Sequence, residues 1–352
     1  MTMNDDIYQP LDKQEVIKAV ERRCPTRRIP MIMAKWWGEG LEEQYGSELS
    51  RFDKYPEDAV MLWIDPLDIE KMDLSWLKDA PAPTSQALDA SGIITDWKYL
   101  DEFIEKMPSP NAPGLFDHLH EAAREAHAQN RYLIFSFWRL FFERPWELRG
   151  MANLMIDFYE NPNEVHRLNE ALCNLYVGLI NRAARELKPD GFFTSDDLGN
   201  QRQLMMKPDH FRQFLKPYYR RVGQVCRENG MHFWLHSCGN NTEVMEDLIE
   251  VGVNVFHPVQ KHTMDEKTIA EKFGDRLSFL AGFDVQQTLM RATADQVRQE
   301  VRFLIDTFDR PDGGMCIAAG NGIVAGTPIE NIEAFLSESL HYGTKHRSAI
   351  IR

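Results

Sequence analysis

Eight short apolar runs separated by helix-period segments predict an α/β fold, a parallel TIM (β/α)8 barrel. The runs are Ile29–Ala34, Ala59–Ile64, Tyr132–Phe137, Gly191–Ser195, Phe233–Ser237, Val253–His257, Leu277–Gly282 and Gly314–Ala318. Between them lie Asn163–Leu187, Pro208–Asn229, Thr242–Val251, Asp265–Phe273 and Thr293–Phe308, all with helical spacing of apolar residues. A continuous apolar run bounded by Gly or polar turn residues reads as a strand covered on both faces, and strands alternating with helices read as βαβ units. No G-x-G-x-x-G opens a helix, which counts against a doubly wound dinucleotide-binding sheet.

Each element has local support. Asn163 and Thr293 are expected N-caps; Asn229-Gly230 and Gly252 are expected stops. Two Pro-rich stretches, KDAPAPTS (Lys78 to Ser85) and MPSPNAPG (Met107 to Gly114), read as surface connections around a short insertion. With no repeat or long linker, the 352 residues are expected to form one domain. Its barrel would span about residues 29–343, behind an N-terminal helical extension.

Composition narrows the function classes. A net charge of −14 and a pI near 5.3 argue against nucleic acid or an anionic membrane as partner. MTMNDDIYQPLDKQ has neither the basic nor the apolar part of a signal peptide. No window reaches the roughly 18 consecutive apolar residues of a membrane span. Five scattered cysteines suit a reducing compartment, so the cytoplasm is the expected location.

A barrel carries its chemistry at the C-terminal ends of its strands. The residues following each run in turn include Lys35 and Trp36, Asp65, Trp138-Arg139, then Asp196, Asp197 and Gln201. The later runs deliver His236 and Cys238, His257 and Gln260, Asp284, and finally Cys316 with Asn321. The stretch MHFWLHSCGNN, Met231 to Asn241, stands out. A His and a Cys two apart at a strand end can reach one metal ion, and Cys316 is the candidate for a third soft donor. The competing account is a core histidine and two buried thiols. Asp196 and Asp197 stand in tandem, so alternation turns at most one of them inward. Asp65 could be an active-site acid or an N-cap; Asp284 could orient a ligand or make a turn. His257 could join a metal or be a buried, hydrogen-bonded histidine. Cys24, Cys173 and Cys226 lie in or beside helical patterns and read as structural.

DGFFTSDDLGNQRQLMMKPDHF, LHSCGN, NVFHPVQ, LAGFDVQ and GGMCIAAGNGI, in that order, resemble the uroporphyrinogen decarboxylase superfamily. The resemblance runs from about Ile29 to Gly343 and implies a TIM barrel. The H-x-C…C pattern is similar to the zinc motif of its corrinoid (methylcobamide) methyltransferase branch. By that resemblance His236, Cys238 and Cys316 are expected zinc ligands. From their position after candidate strands, Asp65, Asp196, Asp197 and Asp284 are expected catalytic carboxylates. Lys35, Trp36, Gln201, His257, Gln260 and Asn321 are expected to bind substrate. The decarboxylase branch has an arginine-rich N-terminal segment for substrate carboxylates, where this chain has MAKWWGEGL, with one lysine and no arginine. Burying a polycarboxylate without cationic partners is costly.

The expected function is therefore zinc-dependent methyl transfer between a corrinoid cobalt and a thiol or an O- or N-methyl compound. A corrinoid carrier protein would be the partner, and the chain itself a monomer or homodimer. The alternatives are a decarboxylase-type lyase acting on a tetrapyrrole or smaller carboxylate, and a non-catalytic corrinoid or tetrapyrrole binder.

Overall fold

The computed structural model describes residues 6–23, 26–69 and 92–350. Cys24 and the KDAPAPTS stretch lie outside them. The fold is α/β. Its strands are β1 (Ala59–Trp63), β2 (Tyr132–Ser136), β3 (Gly191–Ser195), β4 (His232–His236), β5 (Val255–His257), β6 (Ser278–Phe283) and β7 (Met315–Ala319). These seven, among the described residues, follow one another in sheet order as they do in the chain. No helix among the described residues is long and apolar enough to cross a membrane.

The chain folds into two compact units, each made of separate segments. The first holds residues 1–61, 124–134 and 254–352. Here β5, β6 and β7 run parallel, with Val255 paired to Ser278 and Leu280 to Cys316. The expected first strand, Ile29–Ala34, is not a regular strand. Its backbone does run beside β7: Ile32 N donates to Ile317 O at 3.0 Å, Ile317 N to Pro30 O at 2.8 Å, and Met31 makes a parallel bridge to Ile317. On its other side Asp58 N donates to Met31 O at 2.8 Å. Pro30 offers no N–H to a ladder, and Met33 turns to φ 56°, so regular pairing stops there. The fully buried Arg28–Asp58 ion pair fastens this segment, because Asp58 also accepts the Leu11 and Met31 amides at 2.7 and 2.6 Å. Helix Lys13–Glu21 starts with an Asp12–Glu15 capping box. Thr293 caps helix Ala294–Phe308 as its sequence suggests.

The second unit holds residues 62–123 and 135–253. Strands β3 and β4 are parallel and in register from Gly191–His232 to Ser195–His236. Every residue of β3 is buried, as expected for a strand covered on both faces. Helix Pro162–Glu186 packs against helix Lys216–Glu228. Asn163 is not its N-cap: Asn161 holds that place without a side-chain bond, and Pro162 begins the helix, where a missing N–H costs nothing.

Candidate metal centre

Because Ser195 and His236 are register partners, the residues following β3 and β4 leave the sheet side by side. Asp196 N donates to His236 O at 2.9 Å and continues the ladder one step. Beyond it the chain turns on Asn241, whose buried amide donates to the carbonyls of Ser237, Cys238 and Gly239 at 3.0, 3.2 and 3.1 Å. Ser237 Oγ donates to Asn241 Oδ1 at 3.0 Å and accepts from Leu198 N at 3.1 Å. Gly239 sits at φ 82°, and a Cβ there would lie 2.2 Å from the backbone carbonyl of Gly199. HSCGNN is thus a loop whose polar side chains fix its own backbone.

That loop brings one atom each from Asp197, His236 and Cys238 within 4.8 Å of one another. Cys238 Sγ lies 3.3 Å from His236 Nε2, and Asp197 Oδ1 lies 3.6 Å from the same nitrogen. Asp197 Oδ1 also accepts the Cys238 amide at 2.7 Å. Burial lowers His236 to about 4, so the imidazole is neutral near pH 7 and offers a lone pair. Burial, then the charges of Asp197 and Glu143, push the Cys238 thiol up. Burial also raises Asp197, against the pull of the Cys238 amide. Charge is disfavoured on all three groups, and a divalent cation would reverse this for thiol and carboxyl alike. Nitrogen, sulfur and oxygen donors within reach of one point fit zinc.

The tandem aspartates have separate jobs. Asp196 points at the N-terminus of helix Glu143–Arg149 and accepts the amides of Phe141, Phe142 and Glu143 at 3.1, 3.0 and 2.7 Å. Tyr219 Oη adds a fourth bond at 2.8 Å. Burial raises Asp196 to about 7, and these donors oppose the rise. Its carboxyl is engaged in holding the start of a helix. Glu143, which strand-end counting passes over, lies close to this centre. It accepts Ser195 Oγ at 2.5 Å, and burial with the neighbouring charges of Asp197 and Asp196 raises it to about 8.

An aromatic wall flanks the imidazole. Trp63, ending β1, and Trp138, just past β2, stack with centroids 4.8 Å apart at 28°. The buried Phe193 meets both edge-on, at 5.9 and 5.5 Å, and Trp138 meets the His236 ring at 5.7 Å and 80°. Arg139 follows in the left-handed region at φ 71° and pairs with Glu147. Glu147 also binds Arg144 at 2.6 Å, and Arg144 reaches the exposed Asp65 at 3.5 Å. Asp65 takes the Leu67 amide at 3.1 Å, a local turn. Gln201 is exposed in the loop beyond Asp197.

The remaining expected site residues belong to the other unit. There Lys35 Nζ donates to Tyr55 O at 2.8 Å, and the Trp36 ring lies 6.4 Å from that of His257. His257 is buried with Nε2 3.0 Å from Ala319 O, the pattern of a hydrogen-bonded core histidine. Asp284 accepts the Gln286, Gln287 and Thr288 amides and the Thr288 hydroxyl, which overcome its burial and hold it below the usual carboxylate range. It makes a turn. Gln260 is half-buried, and Asn321 is exposed just past β7. Cys316 does not stand at the end of its strand. It is the second residue of β7, buried, and its thiol is pushed up by burial and by Asp58.

Known proteins place this geometry in a wider setting. A methyltransferase from Methanosarcina mazei shares the fold, with a TM-score of 0.64 at 16% identity, covering 94% of this chain and 98% of that one. A chitinase from Chromobacterium violaceum aligns with a TM-score of 0.42 at 8% identity, over 89% and 99% of the two chains. A D-psicose 3-epimerase from Clostridium cellulolyticum gives 0.41 at 9%, over 92% and 99%. No curated protein sequence matches the chain. The uroporphyrinogen decarboxylase (URO-D) family model matches residues 146–341, more than half of the 352 and inclusive of the whole His236–Cys238 loop. On that match, this chain belongs to the uroporphyrinogen decarboxylase family.

Proposed function

We propose that the protein is a zinc-dependent methyltransferase of a corrinoid-linked system, moving a methyl group between a corrinoid cobalt and a thiol or an O- or N-methyl compound. The observation that carries this reading is the convergence of Cys238 Sγ on His236 Nε2 at 3.3 Å, beside the Asp197 carboxyl. The likeness of fold to a methyltransferase supports it. His236, Cys238 and Asp197 would hold the zinc; Cys316 joins them on the motif resemblance alone. Bound zinc would supply a Lewis-acid position that keeps a substrate sulfur anionic or polarises a methylated heteroatom.

The chain's own residues do the rest. His236, kept neutral by burial, offers a donor atom rather than a charge. Asn241 and Asp197 fix the loop so that Cys238 need not reorganise when it binds. Trp138 packs edge-to-face with the His236 imidazole and holds its plane. A corrinoid carrier protein is the proposed partner and the cytoplasm the proposed location, with the chain as monomer or homodimer.

The second reading, decarboxylation of a tetrapyrrole or smaller carboxylate, draws on Glu143, an acid held near 8 beside Asp197. One experiment separates the two. Zinc-loaded protein is mixed with methylcobalamin and a panel of thiols, or with Co(I) cobalamin and methyl donors, and the visible spectrum is followed. Conversion of the corrinoid, reduced by orders of magnitude in Cys238→Ala, is expected. Decarboxylation of a porphyrinogen with no corrinoid reaction across the panel would replace it with the lyase.

A further inference from the structure

We propose that the Trp63–Trp138 pair is a platform on which an aromatic ring of the methyl substrate stacks, with its methylated heteroatom facing His236 and Cys238. This rests on reading the site as a methyltransferase centre.

Trp63 ends β1 and Trp138 lies two residues past β2, so both stand at C-terminal strand ends. There Trp138 meets the ring of His236, itself the last residue of β4. Both indoles keep part of their surface exposed, although nearby phenylalanines such as Phe137 and Phe193 are completely buried. Large aromatic rings left half-open beside a polar cluster mark a surface that takes an apolar occupant.

The geometry selects the kind of occupant. Two indoles in an offset stack, 4.8 Å apart at 28°, cover each other's inner faces, and a further ring extends the stack on an outer face with the same contact. A methylated ammonium is held best where several rings close on it from crossed directions. Of the rings crossed to these indoles, Phe193, at 85° and 76°, is buried with no exposed surface, and His236, at 80° to Trp138, belongs to the donor cluster. The platform therefore favours a flat, uncharged ring over a cation. Because Trp138 abuts His236, and His236 lies 3.3 Å from Cys238, a substituent on such a ring is directed to the metal donors.

An aryl methyl ether is the methyl donor this describes. The methyl carbon leaves its oxygen for the Co(I) of a corrinoid, whose electron pair forms the new carbon–cobalt bond. The aryl oxygen keeps the pair of the broken C–O bond and takes a proton from water.

Equilibrium binding tests the platform apart from turnover. Tryptophan fluorescence is titrated with 4-methoxyphenol, with cyclohexyl methyl ether as a non-aromatic match, and with tetramethylammonium. The expected result is binding of 4-methoxyphenol about tenfold tighter than either comparison probe. Trp138→Leu should lose about that factor while keeping its zinc, and Trp138→Phe should recover most of it, which a merely structural tryptophan would not show. Equal binding of the arene and the cyclohexyl ether overturns the platform, as do preference for tetramethylammonium, no arene binding, or unchanged affinity in Trp138→Leu. If the leucine variant loses its zinc, Trp63→Leu takes its place with the same expectations. Arene binding without any corrinoid conversion leaves the platform standing and the methyltransferase reading refuted. Corrinoid conversion with a thiol but no arene binding does the opposite.

Discussion

The Cys238 amide donates to Asp197 Oδ1 at 2.7 Å, while its Sγ sits 3.3 Å from His236 Nε2. One residue is thereby held at both ends: by its backbone to the carboxyl after β3, and by its sulfur to the imidazole ending β4. Replacing Asp197 with Asn keeps the shape but removes the anionic oxygen. Zinc affinity should fall about 10–100-fold, the usual effect of losing a group that supports or completes a metal site. Competition with a chromophoric chelator measures it. An unchanged affinity would mean that Asp197 only shapes the loop.

Asp196 should behave differently, although it is the next residue. Its four donors belong to the start of helix Glu143–Arg149 and to Tyr219. Asp196→Asn should cost roughly 1–2 kcal/mol of stability, because the amide group that replaces one carboxyl oxygen cannot accept its bonds. Zinc content should stay at the wild-type level. Urea denaturation and metal analysis of one preparation distinguish these effects.

Gly239→Ala strikes the loop directly. A methyl group at φ 82°, 2.2 Å from the Gly199 carbonyl, cannot fit without moving one of the two backbones. We expect a loss of about 3 kcal/mol from strain together with displacement. Asn200→Ala removes a side chain of the facing loop without such a clash, so in the same urea series it should lie much closer to wild type. Equal losses in the two variants would show that the loop relaxes freely.

Glu143 gives the pH dependence a sign. Its folded value of about 8 stands above the ordinary 4.5, so the folded state holds a proton that the unfolded chain has released. Its contribution is fully present below about 4.5 and is lost as pH rises towards 8, which makes stability fall across that window. Glu143→Gln removes this component. Between pH 5 and pH 8 the urea midpoint of wild type should drop more than that of the variant. Parallel drops would mean that Glu143 ionises freely.

Much of this was readable in the amino-acid sequence, for reasons that particular residues show. GFFTS is a strand because a continuous apolar and β-branched run suits a strand covered on both faces. Thr293 with Gln296 announces a helix through local bonds. Alternation implied that Asp196 and Asp197 would part ways, though it could not say which would cap a helix. The exceptions depend on backbone detail or distant partners. Ile29–Ala34 looks like a strand, but Pro30 and the left-handed Met33 stop its regular pairing. Cys316 is expected with the strand-end residues, yet it is the second residue of β7, which runs on to Ala319. Glu143 carries no local signal, because the hydroxyl that holds it lies 52 residues away in the chain. Trp63 reads as an ordinary core residue until Trp138 is placed against it.

Zinc stoichiometry measures the metal centre itself. Protein produced with zinc available, then dialysed, should carry about one zinc per chain. His236→Ala and Cys238→Ala, with far-ultraviolet circular dichroism unchanged, should carry almost none. Cys316→Ala, measured alongside, reports whether that thiol shares in the binding. Wild-type protein without zinc, or Cys238→Ala retaining a full equivalent, would contradict the metal centre and the methyl-transfer function built on it.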